Sequence, residues 1–395
     1  MKCLSLFAGA GGLDQGLQSA GFSIAASVEV DRDCCETLSR NFEHRVIQKR
    51  VDALSDGDLA SFGQIDFVVG GPPCQPFSKS ALWTTKAARG FEDARATSID
   101  DFFSCVEALK PEGFLIENVP GFKGFGGLDR IVAKLDELRT RGISYDLSWK
   151  IIDAAAFGVP QHRKRFFAIG VRSGAELYKF PLPTHGQGFE PYRTTWDALG
   201  GLTSFKFENE PELTPRGRWS DLLPSIPPGQ NYLWHTARGG GLPLFGWRTR
   251  YWSFLQKIDP GLPAPTIVAS PSQNSGPFHW ENRLLSTTEL ASLQSFPPTF
   301  KFSGDRASRH RQIGNAVPPI LAEALGRSLL DAFGREPEDR RWVRLGRQGC
   351  TPVLPNVAPV PKQYLKLAGN HLDHPGPGKG PRPRGLTSRE LESAV

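Results

Sequence analysis

The stretch CLSLFAGAGGLDQGLQSAGFSIAASVEV, residues 3–30, decides the fold class. Residues 3–8 are a short apolar run that reads as a strand, and Gly9–Gly12 reads as a turn. Leu13, Leu17 and Ala20 then fall on one face of a helix over 13–21, and Ile24–Val30 forms the next strand. This is a βαβ unit whose glycine turn lets backbone come close to a ligand. The alternation continues outward. A helix is predicted at 31–42, a strand at Ile65–Val69, helices at 98–110 and 127–141 around a strand at Phe114–Glu117, and strands at 145–152 and 165–171. The rhythm predicts an α/β fold with a doubly wound, mostly parallel sheet.

The texture changes after Val171. Residues 172–282 hold six of the nine Trp, many Pro and Gly, and no sustained helical period, which marks a second, smaller, irregular domain. Helical patterning returns at 286–295 and 317–333. Beyond Gly334 there are nine Pro and seven Gly among 61 residues with few large apolar side chains, so 335–395 is expected to be a mostly disordered tail. Net charge is +6, but the tail's 11 Lys/Arg against 6 Asp/Glu carry +5 of it. The body is nearly neutral, so a polyanion site there must be a local arrangement. The six cysteines (3, 34, 35, 74, 105 and 350) make no C-x-x-C pair, which argues against a structural zinc or a disulfide framework. No metal site is expected. The N-terminus imitates a signal peptide, but its apolar stretch is short and runs straight into Gly-Gly. With no apolar run long enough to span a bilayer, the chain reads as soluble and intracellular.

Four elements carry chemistry. The first is Phe7-Ala8-Gly9-Ala10-Gly11-Gly12, followed twenty residues after Gly9 by Glu29, where an acid commonly holds two ribose hydroxyls. Asp52 follows the third strand, within reach of an adenine amino group. Asp14 stands where G-x-G-x-x-G would place its third glycine, which disfavours a pyrophosphate-bearing cofactor and suits a nucleoside. A plain tight turn remains the simpler reading of this element alone. The second is Gly70-Gly71-Pro72-Pro73-Cys74-Gln75-Pro76-Phe77-Ser78 at a strand's C-terminal end. A lone cysteine is most often an inert core residue. A thiol held on a proline-stiffened loop at that edge is a candidate nucleophile. The third is Glu117-Asn118-Val119, a carboxylate able to share a proton near Cys74. The fourth is Gln161-His162-Arg163-Lys164-Arg165, where alternation sends Gln161, Arg163 and Arg165 to one face, suited to a carbonyl or a phosphate.

Taken in order, FAGAGG (7–12), EVD (29–31), PPCQPFS (72–78), ENV (117–119), Q-x-R-x-R (161–165), RLLSTTELASLQSFP (283–297) and RQIGNAVPP (311–319) resemble the DNA (cytosine-5) methyltransferase family, of the bacterial restriction-modification type. The resemblance covers roughly 1–171 and 283–333. It implies the class I, Rossmann-like fold with S-adenosylmethionine as cofactor. It divides the chain into a catalytic domain at 1–171 plus 311–334 and a target-recognition domain at 172–310, with the tail at 335–395. By match to the family's positions, Phe7, Ala8, Gly9, Gly11, Gly12, Glu29, Val30, Asp52, Ala53, Pro72, Asn315 and Ala316 would line the cofactor site. Cys74 would add to C6 of a flipped cytosine, Glu117 would donate to N3, and Arg165, with Arg163 beside it, would hold O2. Ser78, Gln161, Arg238, Arg248, Arg250 and Thr266 would contact DNA. Residues 232–254, YLWHTARGGGLPLFGWRTRYWSF, interleave arginines with aromatics around a triple glycine, as a major-groove reader could. Most of those Trp are equally expected to form the small domain's core. The implied partners are double-stranded DNA and a cognate restriction endonuclease of the same site. The implied setting is a monomer in the bacterial cytoplasm, associated with the nucleoid.

Competing readings are a tRNA cytosine-5 methyltransferase, a catalytically silent DNA-binding relative and a nicotinamide oxidoreductase. The absence of a Cys-Phe-Thr recognition signature, the intact Cys74, Glu117, Arg163 and Arg165, and the glycine spacing argue against them in turn. The basic tail is expected to add nonspecific affinity, its deletion leaving sequence choice unchanged.

Overall fold

In the computed structural model, Lys2–Leu6 (β1), Ser23–Glu29 (β2), Arg45–Gln48 (β3), Phe67–Gly70 (β4), Gly113–Asn118 (β5), Tyr145–Asp153 (β6) and Lys164–Arg172 (β7) form one sheet. Its order is β3-β2-β1-β4-β5-β7-β6. The structure describes all residues except 74–97, 125, 175–176, 203–210, 337–345, 350–351, 370 and 375–395. The first five strands pair in parallel, while β7 runs antiparallel to both β5 and β6. The expected α/β, doubly wound and mostly parallel sheet is what forms.

Alternation along the central strands feeds two apolar layers. Leu4, Leu6, Val68, Phe114 and Ile116 enter one, with Phe102 and Phe122. Cys3, Phe67, Val69 and Leu115 enter the other, with Leu17, Leu321 and Leu325. Every residue of β4 and β5 is buried, as an apolar strand covered on both faces must be. Helix α1 (Gly12–Ala20) begins after Gly11, whose φ of 80° is a left-handed conformation that glycine adopts without strain. α1 packs on the helix Pro319–Ala332, which brings the C-terminal motif back to the first turn of the chain. The helices predicted at 286–295 and 317–333 appear as Thr287–Leu293 and Pro319–Ala332. The helix Arg306–Asn315 was not anticipated, because its sequence RASRHRQIGN presents no apolar stripe. It is started by Asp305, whose carboxylate accepts the Ser308 amide at 2.7 Å.

The chain divides into two units. The first comprises Met1–Arg193, Val268–Ser270 and Thr287–Arg347, and the second Thr194–Ile267, Pro271–Ser286 and Gln348–Val395. Residues 172–193 and all of 287–310 therefore belong with the sheet, whereas the expected division gave them to the second domain. The second unit is irregular, as expected. It is built of short turns such as Ser220–Ser225 and Tyr232–His235 around Leu222, Leu223, Ile226, Tyr232, Leu244, Phe245, Phe254 and Phe278.

The tail differs from expectation where it is described. Tyr364 is buried in the second unit's core, stacked on Trp219 at 5.3 Å, with its hydroxyl donating to the Arg218 carbonyl at 2.9 Å. The Ala358 amide donates to Pro224 O at 2.9 Å. Composition read this segment as disordered because a single aromatic anchor hardly changes an average.

Candidate active site

β1 lies between β2 and β4, so the strand order reverses there, and ligands of open α/β sheets bind at the carboxyl ends of strands at such a point. Leu6, Glu29, Gly70 and Asn118 end four neighbouring parallel strands. The Phe7–Gly12 turn follows β1. Phe7 has φ 53°, a left-handed conformation uncommon outside glycine. The Ala8 amide donates to Val28 O at 3.2 Å and that of Gly11 to Ala8 O at 2.9 Å, which pins the turn across β2. The space over Gly9 is open, since a Cβ built there meets nothing within 4 Å.

Glu29 closes this turn from β2. Its carboxylate accepts the amides of Gly9 at 2.8 Å, Val30 at 2.7 Å and Asp31 at 2.9 Å. Val30 is 59% exposed, and Asp52 and Ala53 are exposed in the short turn Val51–Ala53 that follows β3. Arg50 grips Asp52 through Nε and Nη2, holding its carboxyl below the usual range. From the far end of the chain, Asn315 is exposed and Ala316 is buried. Gly12 sits against the adjoining turn so tightly that a Cβ would stand 2.3 Å from the Val317 carbonyl oxygen. The Gly9–Glu29 hydrogen bond and the close approach of Gly12 to Ala316 and Val317 thus bring expected cofactor residues after β1, on β2 and in the C-terminal motif together around one turn.

Asp14 explains the departure from G-x-G-x-x-G. It is fully buried, accepts hydrogen bonds from the Ser5 and Ser27 hydroxyls, and lies one serine away from His44, whose Nε2 is 2.7 Å from Ser27 Oγ. The side chain fastens α1 to β1 and β2, and burial raises its pKa.

The second cluster lies at the ends of β4, β5 and β7. Pro72, which is buried, is tied to β5 by Asn118, whose Nδ2 donates to the Pro72 carbonyl at 3.1 Å. Cys74 and Ser78, expected two and six residues further on, lie outside the described residues. Because β7 runs antiparallel to β5, its first residues return beside the end of β5, and Asn118 faces Phe166 in the register. Arg165 Nε there meets Glu117 Oε1 at 2.9 Å. Burial drives the Glu117 carboxyl above the usual range, against the opposing pull of Arg165 and Arg163. A carboxyl that keeps its proton beside a fixed guanidinium can donate to a ring nitrogen while the arginine holds a neighbouring oxygen.

The predicted alternation is seen in burial, with Gln161 and Arg163 buried and His162 and Lys164 exposed. One role needs correction. Gln161 is fully buried, its amide donating to Gln294 Oε1 at 2.6 Å and to Leu293 O at 3.3 Å, so it braces the fold where a DNA contact was expected. Arg163 is likewise fully buried, with Nη2 on the Gly314 carbonyl at 2.7 Å, and its charge reaches Glu117, where it opposes the effect of burial. Sequence reasoning missed Gln294. Its Nε2 donates to Ile313 O at 3.1 Å and Ala316 O at 2.7 Å, joining the Gln161–Arg165 strand entry to the Asn315–Ala316 turn. Its place in LQSFP, within a quoted motif, was the available signal.

In the second unit, Arg238 and Arg248 are exposed, and Arg248 has φ 57°. Arg250 is half-buried, with its guanidinium over the Phe245 and Phe254 rings at 5.7 and 6.0 Å. Thr266 is exposed next to the fully buried Ile267. Among the Trp, Trp280 is buried and Trp252 is 67% exposed.

Residues 1–331 match the family model described as C-5 cytosine-specific DNA methylase. The chain belongs to that family. The methylase is 34% identical over 375 residues to the type II methyltransferase M.SacI of Streptomyces achromogenes, covering 85% of this chain and 94% of that protein. It is 33% identical over 342 residues to the type II methyltransferase M1.HphI of Haemophilus parahaemolyticus, with 83% and 86% covered. A solved structure described as a prophage-encoded DNA modification methyltransferase of E. coli superposes with a TM-score of 0.60 at 26% identity, covering 85% of the methylase and all of that chain. A methyltransferase of Entamoeba histolytica gives the same TM-score at 18% identity and supports the fold. The methylase is thus a DNA (cytosine-5-)-methyltransferase, and these matches favour that reading over methylation of tRNA. Among the described residues, no helix is long and apolar enough to cross a membrane.

Proposed function

We propose that the methylase modifies one cytosine within a specific duplex DNA sequence, by flipping the base out of the helix and adding Cys74 to C6. The observation that carries this reading is the Glu117–Arg165 pair, 2.9 Å apart, at the root of the Pro72–Pro73 loop whose next residue is Cys74. The open space over Gly9, the amide-cradled Glu29 and the Asn315–Ala316 turn fit a nucleoside cofactor. Those residues would hold S-adenosylmethionine, which supplies an electrophilic methyl group when bound.

The chain's own groups do the rest. The Cys74 thiolate forms a bond to C6, and Glu117 gives its proton to N3 and neutralises the charge that addition creates. Arg165 holds O2 and favours the ionised thiol. C5 becomes enamine-like and takes the methyl group. Its proton then leaves to a base, the C6–sulfur bond breaks, and the thiolate is released. The base must leave the stack for this to happen, at a cost of a few kcal/mol. Arg238, Arg248 and Thr266 are the exposed candidates for contact with DNA. In this reading the enzyme shares its site with a cognate restriction endonuclease and acts as a monomer in the cytoplasm on nucleoid DNA, and the description of its relatives as type II methyltransferases supports that setting.

The test is a duplex carrying 5-fluorocytosine at the modified position, identified first by bisulfite sequencing of DNA from cells expressing the enzyme. With S-adenosylmethionine present, a denaturant-stable protein–DNA adduct mapping to Cys74 is expected. Tritium transferred from the cofactor to tRNA alone, or no adduct on a duplex that is otherwise methylated, overturns the reading.

A further inference from the structure

The C-terminal segment does more than rest on the second unit. It grips the residues that flank the triple glycine. Asp373 Oδ1 accepts the backbone amide of Trp247 at 2.7 Å, and the His374 amide donates to the Trp247 carbonyl at 2.9 Å. Both backbone groups of Trp247 are therefore held by two consecutive tail residues. Asp373 Oδ2 also accepts from Arg238 Nη2 at 2.9 Å. The Trp247 ring lies beneath two guanidiniums, Arg238 at 5.0 Å and Arg248 at 6.0 Å. Gly246 passes directly under the Leu372 carbonyl, with no room there for a Cβ.

An exposed ion pair holds little by itself. Here one carboxylate joins the arginine on one side of the 239–246 loop to the backbone on the other, and the ring between them carries the second arginine. Upstream, Tyr364 in the core and Gly369, whose amide is 3.4 Å from Pro243 O, anchor the strap. The seat is therefore built in.

We propose that Asp373 is a positioning residue for sequence recognition: it sets where Arg238 and Arg248 stand, and so which base pairs the methylase selects. The inference rests on the reading that these arginines contact DNA. It replaces the expectation that the tail adds only nonspecific affinity. Its carboxylate occupies the guanidinium edge that a phosphate or a guanine would take, so the arginine is both placed and kept from nonspecific capture until a matching duplex displaces the acid.

The experiment compares full-length wild type, Asp373→Ala and Asp373→Asn, with Arg238→Ala/Arg248→Ala as control. It measures kcat/KM on a duplex with the site and on duplexes altered by one base pair. Asp373→Ala is expected to lower the ratio between cognate and altered duplexes about tenfold, an effect the size of one good base contact. Asp373→Asn keeps an acceptor for the Trp247 amide and should restore part of the ratio, with the KM for S-adenosylmethionine unchanged in both. If the arginine variant loses selectivity while both Asp373 variants keep it, this inference is overturned and the recognition reading survives. If selectivity ignores the arginines as well, both fail.

Discussion

Glu117 is pulled in two directions. Its burial favours the neutral acid and Arg165, 2.9 Å away, favours the carboxylate, with burial the stronger influence. The proton is therefore kept to higher pH than an ordinary glutamate would keep it. Methyl transfer that needs this proton falls as pH rises through the raised pKa. Glu117→Gln keeps the shape but has no acidic proton to give. Its kcat/KM should drop by roughly 10²–10⁴-fold, the usual worth of positioned general-acid help, and the alkaline limb owed to Glu117 should vanish from the pH–rate profile. Turnover within a few-fold of wild type would remove the acid role. Cys74→Ser should abolish methyl transfer while S-adenosylmethionine affinity, measured by calorimetry, stays within a few-fold. A collapse of cofactor binding would mean that the residue serves the fold. Both proposed roles were legible in the sequence because they depend on residue type and on a place after an apolar strand. The burial that tunes Glu117 was not, because burial is set by distant segments.

Between elements, the connection that matters most runs through Gln294. It accepts from Gln161 beside the base-binding strand entry and donates to Ile313 O and Ala316 O at the cofactor turn. Both ends of one buried amide are used, so truncation strands a donor and two carbonyls away from water. Gln294→Ala should cost about 2–4 kcal/mol in urea unfolding, given the penalty for unmet buried polar groups, and should raise the KM for S-adenosylmethionine. A variant as stable as wild type with an unchanged cofactor KM would show that the amide relay is dispensable. The sequence could not show this relay. Gln161 and Gln294 stand 133 positions apart, and the residues that meet Gln161 come from the end of a helix far along the chain. Lack of pattern likewise hid Asp14, whose burial is bearable only because serines from two strands converge on it.

For the molecule as a whole, acid should be the weak side of stability. Burial lowers the pKa of His235 and of His310, and drives His279 in the second unit down to about 2. A base whose folded pKa is depressed leaves the unfolded chain holding more protons, so stability is complete above about 6.5 and is lost as pH falls below it. The melting temperature should decline from pH 7.5 to 5.5, and His279→Gln should make that decline shallower, by at most about 1.4 kcal/mol per pH unit for one histidine. An unaltered slope in the variant would show that His279 takes up no proton on unfolding. The sequence by itself determined the sheet, the glycine turn and the order of motifs, because apolar alternation and turn chemistry act over a few residues. It also carried the chemistry proposed for Cys74 and Glu117, which resides in the atoms of those side chains. Tertiary structure alone decided which polar groups were buried, that Gln161 braces the site, and that the tail returns to hold Trp247. Those outcomes depend on which distant segments exclude water from one another, and short-range pattern carries no record of that.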